Sequence, residues 1–342
     1  MKRGEVGMEL QLKEMYRVAH DNIIPISMTI ELLTQCNEKC EHCYIPEHND
    51  CGMDTEQIIS ILRQFRKMGG LNVTFTGGEI FLRKDLLTLI EEARNLHMRV
   101  FLLTNATLIN EQIAKKLKEL HIAEVSVSIY SLDEKIHDDI TKVRGSLKKT
   151  LQGIEAAKNN GISIMVKTPL MEKNKYAYRE IAAYCEQNGF TFMTSPVIFS
   201  KSDGDTLPHQ LAVNKADLKI VLDEIQGYQK SIAKENYEEA CGALKYSFAI
   251  DCMGNFFPCN AFYYRIGNVK QNTLYELWRS KELEQVQNIK KSDLQECNEC
   301  GFAQECVRCP GLAYLEDGNM LGCSSTAKAI AVARYIKRGE EG

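Results

Sequence analysis

Ile26-Ser-Met-Thr-Ile-Glu-Leu-Leu33, followed after two residues by Cys36-Asn-Glu-Lys-Cys40-Glu-His-Cys43, is the stretch whose reading decides the fold. Its first half alternates apolar and polar side chains, the period of a half-buried strand. Its second half places three thiols within eight residues, just past the strand. Outward from this point a strand–helix pattern repeats. Asp54 stands as an N-cap for a helix with Ile58, Leu62 and Phe65 on one face. Strand-like 72–76 precedes helix-like 85–96. Strand 99–104 precedes helix 110–120, where Ile113, Leu117 and Leu120 recur at helical spacing. Strand 124–129 precedes helix 146–159, with Leu147, Leu151 and Ile154 aligned. Strand 162–168 precedes helix 176–188, and a sixth strand covers 190–195.

Strands alternating with helices pair in parallel through crossovers, which gives an α/β barrel or an open α/β sheet. Six units are two short of a closed eight-fold barrel, so the expectation is a partial (β/α)6 barrel of TIM type. Barrel chemistry sits at the C-terminal strand ends. The cysteine loop, Thr76-Gly77-Gly78-Glu79 and Thr104-Asn105 all fall there. The repeat stops near residue 196. Ser200 to Gln210 is polar and contains Gly and Pro, a linker, and a helix follows near 215–226. From Cys241 the composition shifts to Cys, Gly and short elements, as in a small domain held by metal rather than by a large core. The expected organisation is an extension over 1–23, the barrel over 24–196, a linker with a bridging helix over 197–240, and a Cys-rich domain with a C-terminal helix over 241–342.

Composition narrows the chemistry. Lys and Arg total 42 against 46 Asp and Glu, a net charge of −4, which offers nothing to a nucleic-acid backbone. No secretory signal and no uncharged membrane-length apolar run occurs, so the expected location is the cytoplasm. Yet there are 13 cysteines, an odd number. Clustered thiols in a reducing compartment point to metal binding or catalysis rather than disulfides. Cys36-x3-Cys40-x2-Cys43 is close enough to grip one iron–sulfur cluster, and three cysteines leave one iron of a cubic cluster open to a small molecule. Zinc is the structural alternative, but a closed zinc site needs a fourth ligand, and His42 lies awkwardly between two of the thiols. Farther on come Cys241, Cys252, Gly254-x4-Cys259, Cys297-x2-Cys300-x5-Cys306-x2-Cys309 and Cys323. Repeated CxxC pairs signal metal without identifying it.

The first cysteine run, with His42 as the aromatic residue before its third thiol, resembles the signature of radical S-adenosylmethionine (SAM) enzymes. The second group resembles the SPASM domain, with Ile250-Asp251-x-x-Gly254 before Pro258-Cys259, and Gly267-Asn268-Val269 ahead of Leu274 to Trp278. The resemblance implies a [4Fe–4S] cluster on Cys36, Cys40 and Cys43 that chelates and cleaves SAM. The resulting 5′-deoxyadenosyl radical abstracts a substrate hydrogen. It also implies one or two auxiliary [4Fe–4S] clusters: one on Cys241, Cys259 and Cys309, with Cys252 as candidate fourth ligand, and one on Cys297, Cys300, Cys306 and Cys323. Gly77, Gly78 and Glu79 resemble the motif for the methionyl amino group, Glu79 pairing with the ammonium. Asn105, Ser128, Lys167 and Asn174 stand where relatives contact SAM. Two departures occur: Ser128-Ile129-Tyr130-Ser131 replaces the frequent Ser-Leu-Asp-Gly, and two residues rather than three separate Cys306 from Cys309. Cys51, Cys185 and Trp278 read as structural.

The function the resemblance implies is modification of a ribosomally made peptide, by crosslinking or epimerisation. The alternatives are a small-molecule enzyme acting on a cyclitol, a sugar or haem, an anaerobic sulfatase maturase, and a non-enzymatic zinc or iron–sulfur module. Expected partners are a peptide or small-molecule substrate, a separate leader-peptide-binding protein, and an electron donor such as flavodoxin or ferredoxin, with neither nucleic acid nor membrane. Tyr130, Asp251 and Glu172 are available as general bases, and spacing singles out none of them.

Overall fold

The computed structural model describes residues 3–225 and 237–340. A helix, α1 (Arg3–Asp21), leads into β1 (Ser27–Glu31). The repeat then runs α2 (Thr55–Lys67), β2 (Asn72–Thr76), α3 (Leu86–Asn95), β3 (Arg99–Thr104), α4 (Glu111–Glu119), β4 (Glu124–Ser128), α5 (Glu134–Thr141), α6 (Ser146–Asn159), β5 (Ile164–Pro169), α7 (Tyr178–Asn188) and β6 (Thr191–Ser195). α8 (Lys215–Ile225) follows. The C-terminal part holds β7 (Ser247–Ile250), β8 (Asn255–Phe257), β9 (Gly267–Asn268), α9 (Leu274–Trp278), α10 (Lys281–Gln287), α11 (Gln295–Asn298), α12 (Pro310–Asp317) and α13 (Ser325–Glu340).

The chain begins its helices where local chemistry allows. Asp54 accepts from the Gln57 amide while the Gln57 side chain returns to the Asp54 N–H, a reciprocal cap for α2. Asn110 caps α4 one-sidedly, its side chain accepting from Ile113 N–H. The apolar faces of α2, α3, α4, α6 and α7 then close over the sheet: Phe65, Ile90, Leu117, Ile154 and Ile181 are buried with Ile30, Phe75, Leu102, Val127 and Val166.

Six parallel strands form the expected partial barrel, in the order β6-β5-β4-β3-β2-β1. Two features differ from the sequence reading. α1 and α5 occupy stretches read as an extension and a connection. More consequentially, the sheet does not end at β1. β7 pairs with it in parallel, Ser27 opposite Ser247 and Ile30 opposite Ile250, and β8 and β9 add antiparallel strands beyond. The Cys-rich part is therefore welded to the barrel edge rather than tethered. Phe248 stacks on Phe256 at 4.8 Å and meets Phe65 of α2 edge-on at 5.5 Å. Trp278 is buried there and donates its indole N–H to the Ile23 carbonyl at 3.0 Å. No helix among the described residues is long and apolar enough to cross a membrane.

Candidate active site

All six barrel strands point their C-terminal ends at one mouth, and the cysteine loop crosses it. Three neighbours fix the loop's path. From β2, Gly78 donates its N–H to Leu33 O at 2.9 Å and Glu79 donates to Gln35 O at 2.8 Å. This approach leaves no room for a side chain: a Cβ on Gly78 would lie 2.1 Å from Gln35 O, and one on Gly77, at φ +137°, 2.3 Å from Leu33 O. From the last turn of α5, the Thr141 and Ile140 carbonyls accept from Lys39 and Glu41 N–H. From the end of β3, Asn105 donates to the Asn37 carboxamide and Thr107 accepts from it, both at 2.8 Å. The two glycines thus serve the loop's backbone first.

Within this frame the three thiols converge enough to feel one another's charge. Burial pushes Cys36 up to about 12 and Cys40 well above the ordinary thiol value, and Cys43 adds to both. Bare thiolates are disfavoured here, and iron is the kind of partner that makes such thiols ionise. Among the described residues, no three His, Cys, Asp or Glu side chains already stand at the spacing of one metal ion. Thiolates at the corners of a cube sit wider apart than ligands of a single ion, and the donor set fits the cluster.

Glu79 lies deeper than a mouth residue. Its carboxylate is fully enclosed (0% exposed) and accepts from Thr104 Oγ1 at 2.7 and 2.8 Å, Asn105 N–H at 2.9 Å and Phe81 N–H at 3.0 Å. Burial raises its pKa, and these donors oppose the rise. The side chain ties β2 to β3, and these three donors leave part of the carboxylate's accepting capacity unused. Asn174, also expected near SAM, is buried and donates to the Tyr130 and Pro169 carbonyls instead. Ser128 and Lys167 pair across β4 and β5. Lys167 forms no ion pair among the described residues, and burial lowers its pKa. Of the three candidate bases, Glu172 bonds Lys175 and Asn214 at the surface, Asp251 caps the turn before β8, and Tyr130 lies under the loop with its phenol 3.7 Å from Cys40 Sγ.

The later cysteines sort into two sets. Cys241, Cys259 and Cys309 influence one another, with burial pushing Cys259 up to about 12. Cys297, Cys300, Cys306 and Cys323 form the second set and line one cavity. Cys252 stands apart from both. It is buried beside Asp251, Asp50 and Glu31, so the structure does not bring it to the first set as a fourth ligand. Cys185 is buried in α7 and Cys51 is exposed.

A cavity of about 360 Å³ opens between the barrel mouth and the Cys-rich part. His42, Thr76, Leu103 and Lys167 line it together with Met193, Val197, Phe199, Tyr263 and Leu315. Burial lowers the His42 pKa to about 4, so the ring is neutral. Sequence reasoning missed three features around it. Glu31, buried at the end of β1, accepts from the phenols of Tyr44 at 2.8 Å and Tyr263 at 2.9 Å, joining residues 232 positions apart. Ser200 on the wall lies 3.1 Å from His209 Nε2. His48 Nε2 lies 3.3 Å from Cys43 Sγ. No spacing signal announces any of them.

Comparison with known proteins settles the class. Residues 30–185 match the family model of the Radical SAM superfamily, and residues 241–301 match SPASM, an iron–sulfur cluster-binding domain. The chain is a radical SAM enzyme with a SPASM domain. Radical SAM relatives include the AdoMet-dependent heme synthase of Oleidesulfovibrio alaskensis, 23% identical over 325 residues, covering 84% of this chain and 83% of that protein. The antilisterial bacteriocin subtilosin biosynthesis protein AlbA of Bacillus subtilis is 26% identical over 306 residues, covering 84% and 67%. Among solved structures, Streptococcus suis SuiB bound to its precursor peptide SuiA superposes with a TM-score of 0.72 at 18% identity, covering 93% of this chain and 80% of that one. The cofactors of such an enzyme are SAM, the [4Fe–4S] cluster that binds it, and auxiliary clusters.

Proposed function

We propose that this radical SAM enzyme modifies a peptide, removing hydrogen from an apolar or uncharged residue. The character of the cavity carries the reading: Lys167 is the single charged side chain among the described lining residues. The rest of the lining offers methionine, valine, phenylalanine and leucine with neutral hydroxyl and amide groups, which suits a neutral side chain. The likeness to SuiB and AlbA supports the same class. A second reading, modification of a propionate-bearing tetrapyrrole, draws on the heme synthase likeness, but it requires carboxylates to sit against a wall with one cation.

Cys36, Cys40 and Cys43 are the proposed ligands of the SAM-binding cluster. A cluster held by these three thiolates would supply the electron for reductive cleavage of SAM. Around it the chain's own residues do the positioning. Gly77 and Gly78 hold the loop, His42 lines the cavity, and Ser128 and Lys167 are the proposed SAM contacts, Lys167 through its charge. Neutralising Lys167 in Lys167→Met is expected to raise the SAM concentration for half-maximal 5′-deoxyadenosine formation about tenfold, about 1.4 kcal/mol, for one lost charge-assisted contact. Iron per chain stays constant. An unchanged SAM requirement removes Lys167 from the site.

The function itself is tested by mass spectrometry after anaerobic turnover with SAM and a reductant. Candidate precursor peptides encoded beside the enzyme and a propionate-bearing tetrapyrrole are offered in parallel. A peptide that loses two hydrogens, or exchanges one with solvent at a stereocentre, supports the reading. Change in the tetrapyrrole alone overturns it.

A further inference from the structure

Each thiol of the N-terminal loop is met by a donor of a different kind, and Cys43 also accepts from the Ile45 backbone N–H. The backbone N–H of Glu38 lies 3.4 Å from Cys36 Sγ, the phenol of Tyr130 lies 3.7 Å from Cys40 Sγ, and the imidazole of His48 lies 3.3 Å from Cys43 Sγ. The first is fixed by the chain path. The second is locked in the barrel, where Tyr130 is buried and meets His42 edge-on at 4.9 Å. The third comes from a half-buried side chain near the loop's exit, so it can be exchanged with little disturbance to the core.

A thiolate bound to iron has no proton to give, so the ring in that state must donate through Nε2–H. Adding an electron to an iron–sulfur cluster concentrates negative charge on its sulfurs. An N–H···S hydrogen bond therefore stabilises the reduced form more than the oxidised one and raises the reduction potential. From this geometry we infer that His48 sets the reduction potential of the N-terminal cluster through its hydrogen bond to Cys43 Sγ. It is a positioning residue acting through Cys43, not a ligand, and it governs how readily an electron donor charges the site. The inference rests on the proposed assignment of Cys43 to that cluster.

The test uses full-length protein reconstituted anaerobically with iron and sulfide. The N-terminal cluster's EPR signal is identified as the one lost from the Cys36→Ala/Cys40→Ala/Cys43→Ala variant, and its midpoint is read by potentiometric titration. His48→Phe keeps an aromatic ring without a donor, while His48→Gln restores an N–H. His48→Phe is expected to shift the reduction equilibrium about tenfold toward the oxidised form, about 59 mV for a one-electron couple, with iron per chain unchanged. His48→Gln is expected to recover most of that shift. Equal midpoints in His48→Phe and the parent overturn the inference, as does a midpoint in His48→Gln as low as in His48→Phe. Loss of one cluster's iron from both variants also overturns it, because His48 would then be a ligand or a scaffold. A triple-cysteine variant that keeps all its iron sinks the Cys43 assignment instead, so the two failures are separable.

Discussion

Replacing Cys36, Cys40 and Cys43 together by alanine is expected to remove about four irons per chain and abolish reductive SAM cleavage, leaving the remaining iron bound. The geometry makes the loss selective. These thiols face the barrel mouth under Gly77, Gly78 and the end of α5, whereas Cys241, Cys259 and Cys309 and the four around the C-terminal cavity form separate sets. The three thiols are half-buried and neutral without iron, so replacing them by alanine removes little packing and the apo fold is expected to persist. Iron and sulfide assays with quantified 5′-deoxyadenosine check both halves. Equal iron in variant and parent, or residual SAM cleavage in the variant, contradicts the assignment.

Gly78→Ala is the second large effect. The added methyl would stand 2.1 Å from Gln35 O and 2.6 Å from Thr34 O, both backbone atoms with no rotamer to escape into. Either β2 or the loop must move, at a cost of about 3 kcal/mol or more. Movement on the loop side displaces the chain just before Cys36. The expected result is a protein that still binds iron in its C-terminal part but loses most of it at the N-terminal site, with thermal unfolding several degrees earlier. Parent-like iron content and melting would show that the loop tolerates the methyl and that the close approach is not what demands glycine.

The barrel was legible because its signals are local. The period-two alternation and the Asp54 and Asn110 caps need only neighbouring residues, and strands at 72–76 and 99–104 fall where the sequence places them. Pairing is not local. The run Ser247–Ile250 is apolar enough for a strand, yet nothing in it names β1 as its partner, so the continuous sheet was invisible. α5 escaped because eight residues between a strand and a longer helix read as a connection, and its role of accepting from Lys39 and Glu41 N–H depends on folding.

At the site, residue type was legible and side-chain direction was not. Spacing brings the cysteines into groups, but the turn after Asp251 buries Cys252 beside Asp251, Asp50 and Glu31, away from them. Glu79 reads as a free carboxylate, and only the packed strand ends show its oxygens accepting from Thr104, Asn105 and Phe81. The Glu31–Tyr44–Tyr263 contact joins the barrel, the loop and the Cys-rich part across the whole sequence, which no window of residues reports.

On the proposed assignment, a cluster held by Cys36, Cys40 and Cys43 would leave one iron open for SAM. EPR of the dithionite-reduced, fully reconstituted enzyme, recorded before and after SAM is added, reads that iron directly. The account predicts that SAM changes the signal assigned to this cluster and leaves the auxiliary signals as they were. A spectrum indifferent to SAM, from protein shown to hold its full iron, would contradict it.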